Sequence, residues 1–119
     1  MQRGDLFLVA RRGGSDPRKQ RVFVVVSRQV LIDSKFSSLV CAPVYTRYDG
    51  LLTQVTVGVD EGLKHPSSVH CDELVNLPKE MLTRFVGHLR TGKMEELDRA
   101  LASALDLNLT LSEAIDLVQ

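Results

Sequence analysis

Arg21-Val22-Phe23-Val24-Val25-Val26-Ser27 is the stretch on which the fold turns. Four β-branched residues and one aromatic hold a backbone extended, and the run is too short for a buried helix, so Val22–Ser27 predicts a buried strand. Upstream, Asp5–Val9 is a second short apolar run. Between them Ala10–Gln20, rich in Arg, Gly, Ser, Asp and Pro, reads as a loop. Downstream, Gln29–Phe36 has room for one helical turn or two. Leu39–Tyr45 (LVCAPVY) is another strand, with Pro43 placing it at an edge or an end. Asp49-Gly50 signals a turn before Leu52–Val59, whose Thr53, Val55, Val57 and Val59 alternate. Gly62–Ser67 reads as a loop, and Ser68–Leu77 and Arg84–Leu89 as further strands.

Helices come late. Lys93–Leu105 sets Met94, Leu97, Leu101, Ala104 and Leu105 on one stripe, with Glu95 and Arg99 paired outside it. Thr110-Leu111-Ser112-Glu113 has the form of a capping box opening a last short helix toward Val118. The expected class is mostly β with α: a small, strongly curved barrel or half-barrel carrying a packed C-terminal helix. With 119 residues, 44% hydrophobic and 25% charged, the chain is expected to be one domain over 1–119 with a real core. No apolar run approaches the roughly 18 residues of a membrane span, and the charged start Met1–Asp5 does not fit a secretory signal. Two cysteines, Cys41 and Cys71, without framework spacing point to a reducing, cytoplasmic setting.

The net charge of zero hides an asymmetry. Residues 1–48 carry nine bases against three acids, about +6, and residues 49–119 six against twelve, about −6. Either a positive face awaits a polyanion, or the halves interleave and the charges mix. Arg11, Arg12, Arg18 and Lys19 accordingly read as backbone contacts to such a partner or as plain solvated charge. No metal or cofactor is expected: His70-Cys71 are neighbours that a strand would point to opposite faces, and Gly13-Gly14 lacks the lysine of a phosphate loop.

Three places invite chemistry. On an extended Ser68–Leu77, His70 and Asp72 share one face with Cys71 pointing inward, so an imidazole and a carboxylate stand ready for proton transfer, or form a solvated pair at a strand end. Arg21, at the mouth of the most apolar strand, suits bidentate phosphate recognition. Thr46 leaves its strand beside Arg47, with Tyr45 and Tyr48 flanking. That set can hold a nucleotide or simply end a strand.

In order along the chain, these segments resemble the MazF/PemK (Kid) toxin family of type II toxin–antitoxin systems. Arg3-Gly4-Asp5-Leu6 is similar to the family's opening, and Arg21 to the arginine that leads its apolar strand. Val40-Cys41-Ala42-Pro43-Val44-Tyr45-Thr46 resembles its V-x-A-P-[IV]-T. Gly62-Leu63 through Ser67-Ser68-Val69-His70-Cys71-Asp72 resembles its G-L…S-V…[DE]-Q. Val86-Gly87-His88-Leu89 and Leu97-Asp98-Arg99-Ala100-Leu101 are similar to its [IV]-G-x-[LI] and [LV]-D-x-A-L. The departures are Val22 for a proline, Tyr45 inserted before Thr46, His70 in place of an arginine, Glu73 for glutamine, and an extension over 108–119.

The resemblance implies an SH3-like/CcdB-like (PemK-type) β-barrel and a homodimer. It implies a sequence-specific, metal-independent endoribonuclease that cuts single-stranded RNA and is neutralised by a cognate antitoxin. Arg21, Thr46, His70 and Asp72 are then the catalytic set. Asp72 would be base, His70 acid (the two can exchange), Arg21 the phosphate clamp and Thr46 a positioning group. Arg11, Arg12, Arg18, Lys19 and Arg47 would bind RNA. The alternatives are a CcdB-like gyrase inhibitor and a catalytically inactive RNA-binding relative.

Overall fold

The computed structural model describes residues 1–10 and 20–108. The loop bases Arg11, Arg12, Arg18 and Lys19, and the expected last helix over 110–118, lie outside the described residues. Among the described residues seven strands form one curled antiparallel sheet: β1 (Asp5–Ala10), β2 (Gln20–Val25), β3 (Ser38–Tyr45), β4 (Gln54–Val57), β5 (Ser67–His70), β6 (Val75–Pro78) and β7 (Arg84–His88). Their order is β4-β5-β3-β2-β1-β7, with β6 also paired to β3. A four-residue helix, α1 (Gln29–Ile32), follows β2, and α2 (Thr91–Ala104) closes the described chain.

The unbroken apolar run of β2 is explained by burial on both sides. Val24 and Val26 join Leu6, Ala42, Val44, Val55, Val57, Val69, Leu89 and Leu97 in one core, against which α2 packs. Val25, pointing the other way, joins Phe7, Val9, Ile32, Leu39, Cys41 and Leu82 in a second core. The half-barrel with a packed helix is therefore the expected architecture.

Ser68–Leu77 is not one strand. β5 pairs with the end of β3 (Val44 opposite Val69) and β6 with its beginning (Cys41 opposite Val75). From one pair to the other β3 moves three residues and its partner six. The three surplus residues are the 3-10 turn Cys71–Glu73. Nor is β3 an edge strand: it pairs with β2 on one side and with β5 and β6 on the other. Pro43 is tolerated there because the break between β5 and β6 falls opposite it.

The motif glycines have a shared reason. Gly62 adopts φ +93° after the turn Val59–Glu61, and its missing Cβ leaves room for the Val86 carbonyl; at Gly87 the gap is filled by the Glu61 carbonyl. The two segments touch backbone to backbone. Arg3-Gly4-Asp5 is likewise structural. Asp5 is buried, accepts from the Gln2 amide at 2.7 Å and faces His88 Nδ1 at 2.8 Å, while Arg3 pairs with Asp98 of α2 at 2.8 Å.

Candidate active site

The ends of β2, β3 and β5 converge on Tyr45. Arg21 lies across its ring, Cζ 4.0 Å from the centroid, and donates from Nη1 to the Val44 carbonyl at 3.2 Å. His70 meets the same ring in a T-shaped contact, centroids 4.6 Å apart. The Tyr45 hydroxyl points to Glu73 Oε1 at 3.4 Å, and Glu73 Oε2 stands 3.6 Å from His70 Nδ1. A guanidinium, a phenol, an imidazole and a carboxylate thus form one continuous group.

His70 is not on the solvent face that strand alternation implies. It is 3% exposed, because β5 ends there and the 3-10 turn carries the chain away. Its Nε2 lies 2.8 Å from Ser68 Oγ and 3.1 Å from the Arg47 carbonyl, to which the Ser68 hydroxyl also donates. A proton on Nε2 satisfies both oxygens, and neutral Nδ1 then accepts from the Gln54 amide at 3.4 Å. The carboxylate facing His70 is Glu73, half-exposed at 51%, rather than Asp72. Asp72 sits exposed on the same turn and accepts from the Thr53 hydroxyl.

The inserted tyrosine alters the expected match. Tyr45 is the last paired residue of β3, in register opposite Ser68, so the strand position after Ala42-Pro43-Val44 holds a phenol. Thr46 begins the bend beyond it and is exposed. Arg47, also exposed, pairs with Asp49 at 3.2 Å and lies 5.7 Å from the Tyr45 ring. The Gln54 amide, with the Arg47 guanidinium, holds the Asp49 carboxyl below the usual carboxylate range. The structure therefore joins Arg21 and His70 through Tyr45 and Arg47 to His70 through a carbonyl. It places Asp72 and Thr46 on the flanking turn and bend. Ser68, Gln54 and Thr53 are not marked as site residues by the sequence, since each matters through a partner the fold supplies: the Arg47 carbonyl for Ser68, His70 for Gln54 and Asp72 for Thr53. Burial pushes the thiols of Cys41 up to about 12 and Cys71 up to about 11, leaving both as inert core groups.

Residues 2–105 match the model of the PemK-like, MazF-like toxin of type II toxin-antitoxin systems. The chain belongs to this family. Endoribonuclease MazF3 of Mycobacterium tuberculosis is 32% identical over 90 residues, 76% of this chain and 86% of that protein. The solved Mycobacterium tuberculosis toxin MazF-mt6 superposes with TM-score 0.76 at 28% identity, covering 88% of this chain and 99% of its own. A mycobacterial endoribonuclease solved in complex with its cognate antitoxin gives TM-score 0.79 at 22% identity, over 92% and 99% of the two chains, a likeness of fold. Among the described residues no helix is long and apolar enough to cross a membrane, and no three His, Cys, Asp or Glu side chains group so as to hold a metal ion.

Proposed function

We propose that this MazF-family toxin is a sequence-specific endoribonuclease that cuts single-stranded RNA in the cytoplasm, without a metal, until a cognate antitoxin covers its site. The observation that carries the reading is the convergence of Arg21 with the His70–Glu73 pair at the strand ends of a MazF-type sheet. Its relatives by sequence bear the name endoribonuclease, and a related fold has been solved with an antitoxin bound.

Asp72, exposed and oriented by Thr53, removes the ribose 2′-OH proton. The freed oxygen attacks the adjacent phosphorus, and Arg21 faces the charge that builds on the phosphoryl oxygens. Its guanidinium spends one N–H on Val44 and keeps the others for phosphate. His70 is too enclosed to touch the leaving oxygen, so the acid acts as a pair. In the reacting state His70 is protonated on Nδ1 as well; that proton crosses to the half-exposed Glu73 carboxylate, which delivers it to the departing 5′-oxygen, and the neutral imidazole described above is left behind. The products are a 2′,3′-cyclic phosphate and a 5′-hydroxyl. Thr46 and Arg47 hold the neighbouring nucleotides, and the basic residues Arg11, Arg12, Arg18 and Lys19 contact the RNA backbone.

The test is cleavage of a mixed-sequence single-stranded RNA in excess EDTA, with the fragment ends typed chemically. Persistent cleavage at a short recurring sequence with cyclic-phosphate ends is expected. Activity lost in EDTA and restored by magnesium, or fragments ending in 3′-hydroxyls, would refute the mechanism. RNA left intact while gyrase is inhibited would move the protein to the CcdB-like class.

A further inference from the structure

We infer that Tyr45 is the positioning residue for Arg21, a device this chain builds from the residue inserted after Ala42-Pro43-Val44; the inference rests on the role proposed above for Arg21. An arginine at a solvent-facing strand mouth has many rotamers, and few of them aim the guanidinium at one phosphate. Here two anchors act together. The ring face holds Cζ at 4.0 Å and the Val44 carbonyl takes Nη1 at 3.2 Å, both from consecutive residues of β3. Tyr45 and Val44 are fixed by pairing with Ser68 and Val69, so the anchors share one rigid strand end.

The ring is itself held. His70 abuts it at 73° between planes, and His70 is tied to Ser68 and the Arg47 carbonyl. The ring also distinguishes between its two cations. Arg47 is 5.7 Å from the centroid and engaged with Asp49, whereas no acidic partner competes for Arg21 among the described residues. The ring face carrying Arg21 is closed to a stacking base, which makes Tyr45 a holder of the clamp rather than a platform for the substrate.

Two readouts test this. In the first, NMR resonances of the Arg21 side chain should be shifted upfield by the ring current in the wild type and in Tyr45→Phe, and return to ordinary arginine positions in Tyr45→Leu. In the second, kcat/KM on mixed-sequence single-stranded RNA is measured against Tyr45→Phe, which keeps the ring and gives up only the hydroxyl's contact with Glu73. It should fall about 2- to 30-fold in Tyr45→Leu, the range a cation–π contact spans. It should fall further in Arg21→Ala, and Tyr45→Leu should add nothing beyond Tyr45→Phe once Arg21 is alanine. Unshifted Arg21 resonances in the wild type overturn the inference. So does a Tyr45→Leu protein as active as Tyr45→Phe beside a damaged Arg21→Ala, or a difference between Tyr45→Leu and Tyr45→Phe that persists on the Arg21→Ala background. An Arg21→Ala protein as active as wild type overturns the role of Arg21, and the inference with it, whatever the resonances show.

Discussion

Replacing Gly87 by alanine is expected to be among the most damaging single-methyl additions in this fold. The new Cβ would stand 1.9 Å from the Glu61 carbonyl oxygen, 2.7 Å from its carbon and 3.3 Å from the Gly62 nitrogen. A carbon approaches a carbonyl oxygen no closer than about 3.3 Å, so the two segments must part by about 1.4 Å. Neither can give easily. Gly87 is paired in β7 opposite Leu6, and Glu61 is buried, its carboxylate bonded to the Gly58 amide at 2.7 Å. Ordinary overpacking costs about 1–3 kcal/mol; with backbone on both sides the cost should reach the top of that range or exceed it, about 3–5 kcal/mol. That is a large share of the roughly 5–15 kcal/mol that holds a domain of this size. Gly62→Ala should cost a similar amount, since its Cβ would meet the Val86 carbonyl at 2.3 Å with φ at +93°. The double variant should cost less than the two singles added, because once the segments have parted the second methyl meets less resistance. Gly92→Ala, in the first turn of α2 with nothing within 4 Å of its Cβ, should be neutral or stabilising by a few tenths of a kcal/mol. Urea melts followed by far-UV circular dichroism suit a chain with no tryptophan. A Gly87→Ala protein within about 1 kcal/mol of wild type would refute the close-packing argument.

Three further outcomes are expected. His70→Ala removes a 3%-exposed ring with polar contacts to Ser68 and the Arg47 carbonyl, so it should cost about 2–4 kcal/mol, while exposed Asp72→Asn should hold stability yet cut cleavage by about 10²–10⁴-fold; equal stabilities would deny His70 its packing role. Iodoacetamide at pH 8 should label neither thiol until the protein unfolds: with both values raised, the stabilising contribution of the neutral thiols is complete below about pH 8.5 and lost as pH climbs through about 11 for Cys71 and about 12 for Cys41, and labelling at the rate of an unfolded cysteine would contradict this. Light scattering should return twice the 13.2 kDa of one chain, since Val40, Val75 and Phe85 leave apolar surface exposed on a sheet with open edges; a monomer at micromolar concentration would dispose of the dimer.

What the sequence revealed follows the range of the forces involved. β2 announces itself because its β-branched residues prefer extended backbone wherever they sit, and β1 and β3 because each is an apolar run too short for a buried helix. The break in Ser68–Leu77 was hidden, since Cys71-Asp72-Glu73 carries no turn-forming glycine or proline. Its cause is the register of β3, some thirty residues earlier. Arg21 was readable as a charge at a strand mouth. The enclosure of His70 was not, because it depends on the Arg47 carbonyl, brought in from beyond the end of β3, acting together with the Ser68 hydroxyl two residues away on its own strand. The charge asymmetry between the two parts of the chain is crossed in space by Arg3–Asp98 and by Arg47–Asp49, so position along the chain is a poor guide to surface potential.

The pairing of β1 with β7 bears on synthesis. Asp5 lies opposite His88 and Leu8 opposite Arg84, so β1 has one edge bare until β7, the last described strand, has been made. Arg21, Thr46, His70 and Asp72 all emerge before that edge is covered. At about 5–20 residues per second, the eighteen residues from His70 to His88 delay closure by roughly 1–4 s. A protein that cuts RNA would be built while its own message is still threaded through the ribosome, and the late arrival of β7 leaves β1, the strand that holds Val9 opposite Arg21, open on one side while the site residues are already made.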